Sequence, residues 1–217
     1  LGMAVTSADV NGDEIDDIIA GATGANKRGA GPATGEAYVV FGSNALVAVE
    51  SVDVTLYGPP SGSTDGGLFG WSIAAGDVNG DGLIDLCVGA PLADGAVGSG
   101  SRAGEAHGYL GRVSWPIEVS TSDFHYRGTI ANGRAGGKVA VGDFTGDRLA
   151  EVAIAAPRAT TETMVALVYG QAGISGARSA DVVLKSTTDD QLLGDFVALG
   201  DVNLDQRDDL LVSAPLG

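Results

Sequence analysis

Four short runs in the chain are apolar at nearly every position: DIIAGA (17–22), DLCVGA (85–90), EVAIAA (151–156) and DLLVSA (209–214). A strand with one wet face alternates apolar and polar residues. An unbroken apolar run of this length therefore predicts a strand buried on both faces. Each run opens on the last residue of a nine-residue acidic loop, and before the loop stands another apolar segment, such as WSIAAG (71–76) or FVALG (196–200). After each of the first three runs come a Gly-rich connection and a third strand: EAYVVFG (36–42), EAHGYLG (105–111) and MVALVYG (164–170). A fourth, more polar strand follows: VDVTLYG (52–58), DFHYRG (123–128) and DVVLKS (181–186). No segment sustains a 3.6-residue apolar period with caps, so almost no helix is expected.

The acidic loops align as four copies, DVNGDEIDD (9–17), DVNGDGLID (77–85), DFTGDRLAE (143–151) and DVNLDQRDD (201–209), with first residues 68, 66 and 58 apart. Seven residues before each first Asp stands a glycine: Gly2, Gly70, Gly136 and Gly194. Twelve residues after it comes a small-residue turn: GAT (21–23), GAP (89–91), AAP (155–157) and SAP (213–215). These coincidences in register establish an internal repeat. Four antiparallel strands in a unit of about 60 residues make a propeller blade. Inner strands would lie between neighbouring blades, and the fourth would face water. A sandwich of irregular hairpins is the alternative, but it requires no such period.

The expected fold class is therefore all-β: a β-propeller of four-stranded antiparallel blades, about 3.5 of them present. The units are about 1–66, 67–132 and 133–190, with a half unit at 191–217. A closed ring takes about 4–8 blades. The chain is thus expected to be a segment of a longer propeller, or to be completed by a partner chain. The half unit would leave a bare strand edge, which favours association.

The loops carry the candidate chemistry. Asp77, Asn79 and Asp81 stand at positions 1, 3 and 5, Leu83 at position 7 can offer its backbone carbonyl, and Asp85 closes the set at position 9. An all-oxygen donor set of this kind suits Ca²⁺ better than Mg²⁺, and zinc would want His or Cys. An EF-hand loop ends with a Glu at position 12, but here position 12 is Val88, inside the strand. The first loop offers Asp9, Asn11, Asp13, Ile15 and Asp17, and the last offers Asp201, Asn203, Asp205, Arg207 and Asp209. The third has Asp143, Thr145, Asp147, Leu149 and Glu151; with Thr at position 3 and Glu at position 9 it is the weakest candidate. Up to four Ca²⁺ ions are expected, one per loop, with a structural role.

Composition agrees. The formal charge is −16, from 28 acidic and 12 basic residues, and four Ca²⁺ would bring it to −8. Nucleic acid and anionic membranes are poor partners for such a surface. No run of about 18 apolar residues predicts membrane insertion. The single Cys87 reads as a small buried residue. His107 and His125 read as ordinary strand residues, no nucleophile motif or P-loop is present, and no catalysis is expected of the chain. Lys27, Arg28 and Arg102 fall in connections expected on one rim, the best candidate for a ligand face. Trp71 reads as core and Trp115 as core or edge packing.

The stretch LFGWSIAAGDVNGDGLIDLCVGAP (68–91) resembles an FG-GAP repeat, the blade unit of integrin α-subunit propellers. Phe69–Gly70 and Gly89–Pro91 are the two halves of the motif; the third copy departs from it, lacking the aromatic in RAGGKVAVGD (134–143). The resemblance implies a Ca²⁺-binding, seven-bladed propeller, extracellular or at the cell surface, serving in adhesion or in binding a protein or glycan. Alternatives are a building block of an extracellular filament or surface assembly, which packs against copies of itself or the rest of the propeller, and an accessory domain of a secreted hydrolase.

Overall fold

The computed structural model describes residues 1–26, 34–44, 51–60, 66–98, 101–158, 163–186 and 192–215. Strands form where the apolar runs place them. The first unit holds β1 (Val5–Ala8), β2 (Asp17–Ala22), β3 (Glu36–Val40) and β4 (Val54–Tyr57). The second holds β5 (Ser72–Gly76), β6 (Asp85–Ala90), β7 (Glu105–Tyr109), the short β8 (Glu118–Val119) and β9 (Phe124–Arg127). The third holds β10 (Lys138–Gly142), β11 (Glu151–Ala156), β12 (Met164–Val168), β13 (Gly176–Arg178) and β14 (Val182–Lys185). The half unit is the hairpin of β15 (Val197–Gly200) and β16 (Asp209–Val212). No helix occurs among the described residues. Within each unit consecutive main strands pair antiparallel. The protein is an all-β partial propeller.

The unbroken apolar runs have a simple cause. Alternate side chains of one strand enter two different cores. Leu86 and Val88 of β6 pack with Ile19, Val39 and Phe69 toward the first blade, while Cys87 packs with Val152, Ile154 and Phe124 toward the third. On β11, Val152 and Ile154 face the second blade, and Ala153 and Ala155 face the half unit with Val197. Every residue of β6 and β11 is buried. β2 and β16 are not sandwiched in this way, and Ile18 and Leu211 are exposed.

Each full unit has the four antiparallel strands expected, and two of the sheets also gain a fifth, parallel strand from the next unit. β8 lies along β4, and β13 lies along β9. One expectation needs correcting: the fourth strand does not always face water. β4 is wholly buried, with β8 along its edge and Tyr57 donating to Glu118 at 2.8 Å. β9 is half covered and β14 mostly exposed. The polar look of the fourth strand reflects position in the array, which sequence periodicity does not record.

The recurring glycines form the seams between blades. Gly70 has φ +86°, Gly136 +80° and Gly194 +86°, the left-handed region in which a Cβ is disfavoured. A Cβ on Gly21 would stand 1.9 Å from the Gly70 carbonyl oxygen, and one on Gly89 2.1 Å from that of Gly136. The first glycine of one repeat thus sits directly on the small-residue turn of the repeat before it.

Trp71 is only half-buried and precedes β5, so it is not a core residue. Trp115 packs at the edge: its indole donates to the Val10 carbonyl at 2.9 Å, and Arg112 lies 4.9 Å over its ring. Cys87 is free and buried, and burial pushes its thiol up to about 12. Thiol reagents attack the thiolate. Cys87 should therefore react with a disulfide reagent at pH 8 only as fast as the protein opens. A reaction at the rate of an exposed thiol would contradict this placement.

Candidate metal centre in the acidic loops

All four loops connect the first and second strands of their units, at β1–β2, β5–β6, β10–β11 and β15–β16. Their backbones follow one path. Position 4 is left-handed in each: Gly12 (+78°), Gly80 (+75°), Gly146 (+79°) and Leu204 (+65°). Position 6 is too: Glu14 (+67°), Gly82 (+86°), Arg148 (+72°) and Gln206 (+70°). A non-glycine residue adopts this conformation only where its surroundings demand it. Replacing Gln206 by glycine should therefore stabilise the protein by about 0.5–1 kcal/mol. Chemical denaturation reads this out, and a loss of stability would count against it.

The side chains at positions 1, 5 and 9 shape the turn. In the second loop Asp77 accepts from Gly80 N–H at 2.7 Å and Gly82 N–H at 2.9 Å, and Asp81 accepts from Leu83 N–H at 2.9 Å. Asn79 accepts from Asp81 N–H and donates to its carboxylate, both at 2.9 Å. Asp85 is buried and accepts from Val78 N–H at 2.8 Å and Gly111 N–H at 2.7 Å. The first loop repeats the scheme. Asp9 accepts from Gly12, Asp13 and Glu14, Asp13 from Ile15, and Asp17 from Val10 and Gly42. In the fourth loop Asp201 accepts from Asp205 and Gln206, Asn203 from Asp205, Asp205 from Arg207, and Asp209 from Val202.

The third loop differs as its sequence suggests. Asp143 accepts from Gly146 and Arg148, and Asp147 from Leu149, but one oxygen of the longer Glu151 takes both Phe144 and Thr145 N–H. Its other oxygen lies 3.5 Å from the Thr145 hydroxyl.

Neighbouring loops interlock. The position-7 side chain of one loop covers the position-4 glycine of the loop before it. Cβ atoms on Gly12 and Gly80 would stand 2.7 Å from Leu83 Cδ2 and 2.4 Å from Leu149 Cδ2, and one on Gly146 2.7 Å from Arg207 Nε. Ala150 N–H donates to the Asp77 carbonyl and Asp208 N–H to that of Asp143, each at 2.8 Å.

The electrostatics leave negative charge to be balanced. Burial pushes the Asp85 carboxyl up to about 6, the charges of Asp81 and Asp77 add to the rise, and the Gly111 and Val78 N–H groups oppose it. Asp17 and Glu151 are raised for the same reasons. Burial works against the Asp9 charge, but four backbone N–H groups outweigh it and hold this carboxyl below its ordinary value. Among the described residues no three His, Cys, Asp or Glu side chains are gathered closely enough to hold a metal as they stand. The donor chemistry still fits a hard cation. In the second loop each carboxylate oxygen of Asp77, Asp81 and Asp85 accepts a single N–H and retains a lone pair, and no sulfur or imidazole ligand intrudes.

Two partners of the loops were not legible beforehand. Gly42 and Gly111, just after the third strand, hold the position-9 carboxylates. A second repeated acid heads each fourth strand: Asp53, Asp123 and Asp181 accept from Phe41, Leu110 and Tyr169 N–H, each at 2.8 Å. The recurring Asp before VTLY, FHYR and VVLK was the available signal. Of the expected ligand rim, Lys27 and Arg28 lie outside the described residues, and Arg102 is half-buried with φ +49°. His107 and His125 do lie on a third and a fourth strand, with ring centroids 5.9 Å apart. His107 engages Glu105 at 3.0 Å and Ser122 at 3.2 Å.

A profile of the FG-GAP repeat matches residues 1–40, 69–113 and 135–174, more than half of the chain. The chain belongs to the FG-GAP repeat family. Phosphatidylinositol-glycan-specific phospholipase D of Bos taurus is 29% identical over 231 residues, which is 99% of this chain and 26% of that one. Integrin alpha-IIb of Mus musculus is 41% identical over 96 residues, 41% of this chain and 9% of the integrin. Integrin alpha-8 of Mus musculus is 28% identical across 99% of this chain and 19% of its own length. The FG-GAP chain thus spans about a quarter or less of these relatives. In fold it matches a rhamnogalacturonan lyase of Bacillus licheniformis, with a TM-score of 0.55 at 12% identity over 99% of this chain and 41% of the lyase. No described helix is long and apolar enough to cross a membrane.

Proposed function

We propose that the chain is a calcium-stiffened FG-GAP propeller module, extracellular or at the cell surface, that presents its loops to a protein or glycan ligand. The observation that carries this reading is the common path of the four loops, left-handed at positions 4 and 6 even where glycine is absent. In the second loop the ion would be held by Asp77, Asn79, Asp81, the Leu83 carbonyl and Asp85. The corresponding residues would serve in the first and fourth loops, and more weakly in the third. Bound Ca²⁺ would supply the positive charge that the loop oxygens coordinate, and the loops hold adjoining blades in register through the contacts of Leu83, Leu149 and Arg207. Its role here is structural. The ring of seven blades is part of the same proposal.

Binding to protein and glycan arrays, with and without EDTA, tests the module. Retention that disappears with EDTA supports it, and retention unchanged by EDTA contradicts the coupling of calcium to binding. An accessory region of a hydrolase is a second reading, favoured by the bovine phospholipase D that aligns with 99% of the chain.

A further inference from the structure

The second and third blades are bridged where β13 leaves its own unit to lie along β9. Beneath this bridge is a cavity of about 520 Å³, within the range of small-molecule sites. Its walls include Tyr126, Ile130 and Met164, and its polar lining includes Arg127, Arg178 and Lys185. No Asp or Glu is among the described residues that line it. That is notable in a chain of net charge −16 with only 12 cationic side chains.

Arg178 supplies the sharper observation. Its Nη2 lies 3.3 Å from Gln171 Oε1, but its Nε is buried without a hydrogen-bond partner. A buried N–H of a cation left without an acceptor is destabilising, and each such group calls for an explanation. The Arg127 guanidinium is only loosely paired, 3.6 Å from Glu105 Oε1, with its side chain about half exposed. Lys185 stands opposite Met164 in the β12–β14 ladder, so three cations from β9, β13 and β14 converge on one apolar space.

The geometry points to a binding site for a small organic oxyanion, a carboxylate or sulfate carried on an apolar body. The oxyanion would accept from Arg178 and be flanked by Arg127 and Lys185, and the apolar part would rest on Tyr126, Ile130 and Met164. The site uses none of the loop residues, so the calcium-loaded protein serves for its test, and failure of either reading leaves the other standing.

Methyl NMR titration with benzoate, the neutral benzamide and inorganic sulfate is the test. Benzoate should give saturable shifts at Ile130, Met164 and Val183, and benzamide should bind at least about tenfold more weakly. Sulfate should compete with benzoate, since both would use the same cations. Arg178→Gln and Lys185→Gln should each weaken benzoate about tenfold, and Arg178→Lys should retain more binding than Arg178→Gln. Lys185 is exposed on β14, so its variant should keep the native amide spectrum and can decide the matter if Arg178→Gln does not fold. Equal binding of benzoate and benzamide, wild-type affinity in a folded Lys185→Gln protein, or no saturable shift with benzoate would each overturn the assignment.

Discussion

Removing calcium is expected to lower the thermal midpoint by about 10–20 °C. At ten times its dissociation constant each ion stabilises the native state by about 1.4 kcal/mol, so four give about 5–6 kcal/mol. In a domain of this size 1 kcal/mol moves the midpoint by about 2–4 °C. Such a loss is comparable to the whole net stability of many domains. The physical reason lies in the loops. Asp77, Asp81 and Asp85 share one turn, and the buried Asp85 carboxyl is pushed up to about 6 with their charges contributing. Without a cation that repulsion is uncompensated. Asp81→Asn isolates the effect, because the amide oxygen can still accept from Leu83 N–H while the charge is gone. The variant should bind one ion fewer and gain less from calcium than the parent. It should be at least as stable as the parent once both are stripped of metal. Equal calcium dependence in variant and parent would count against a charge-driven site.

Gly89→Ala should cost about 3 kcal/mol or more. The new Cβ would stand 2.1 Å from the Gly136 carbonyl oxygen and 2.4 Å from Ser72 Oγ, and the Ser72 hydroxyl donates to that same carbonyl at 2.8 Å. Backbone is met rather than a flexible side-chain tip, so relief requires the second and third blades to separate. Gly200→Ala is the control, with no atom within 4 Å of its added Cβ; it should change stability by no more than about 1 kcal/mol. Urea denaturation of the two variants gives the comparison. Equal midpoints would show that the repeated glycine does not form the seam.

Much of this architecture was legible in the sequence, for identifiable reasons. The runs at 85–90 and 151–156 announced strands buried on both faces because each inner strand feeds two cores. The loops were legible because acids at positions 1, 5 and 9 repeat in register. Parallel exchange was not. β8 is two residues long and β13 three, too short for any periodicity, and their partners come from the preceding unit. The burial of β4 followed from that exchange and was missed with it. The left-handed turns at Leu204 and Gln206 were also hidden, since glycine is the usual signal and is absent there. Gly42 and Gly111 escaped notice because an N–H donor far along the chain leaves no mark in the spacing of the loop itself.

Titration calorimetry of the metal-stripped chain with Ca²⁺ bears most directly on the central claim. The account predicts saturable binding of three or four ions per chain, with the third loop weakest and one ion lost in Asp81→Asn. Absence of binding heat at millimolar Ca²⁺, with no shift in the thermal midpoint, would contradict it.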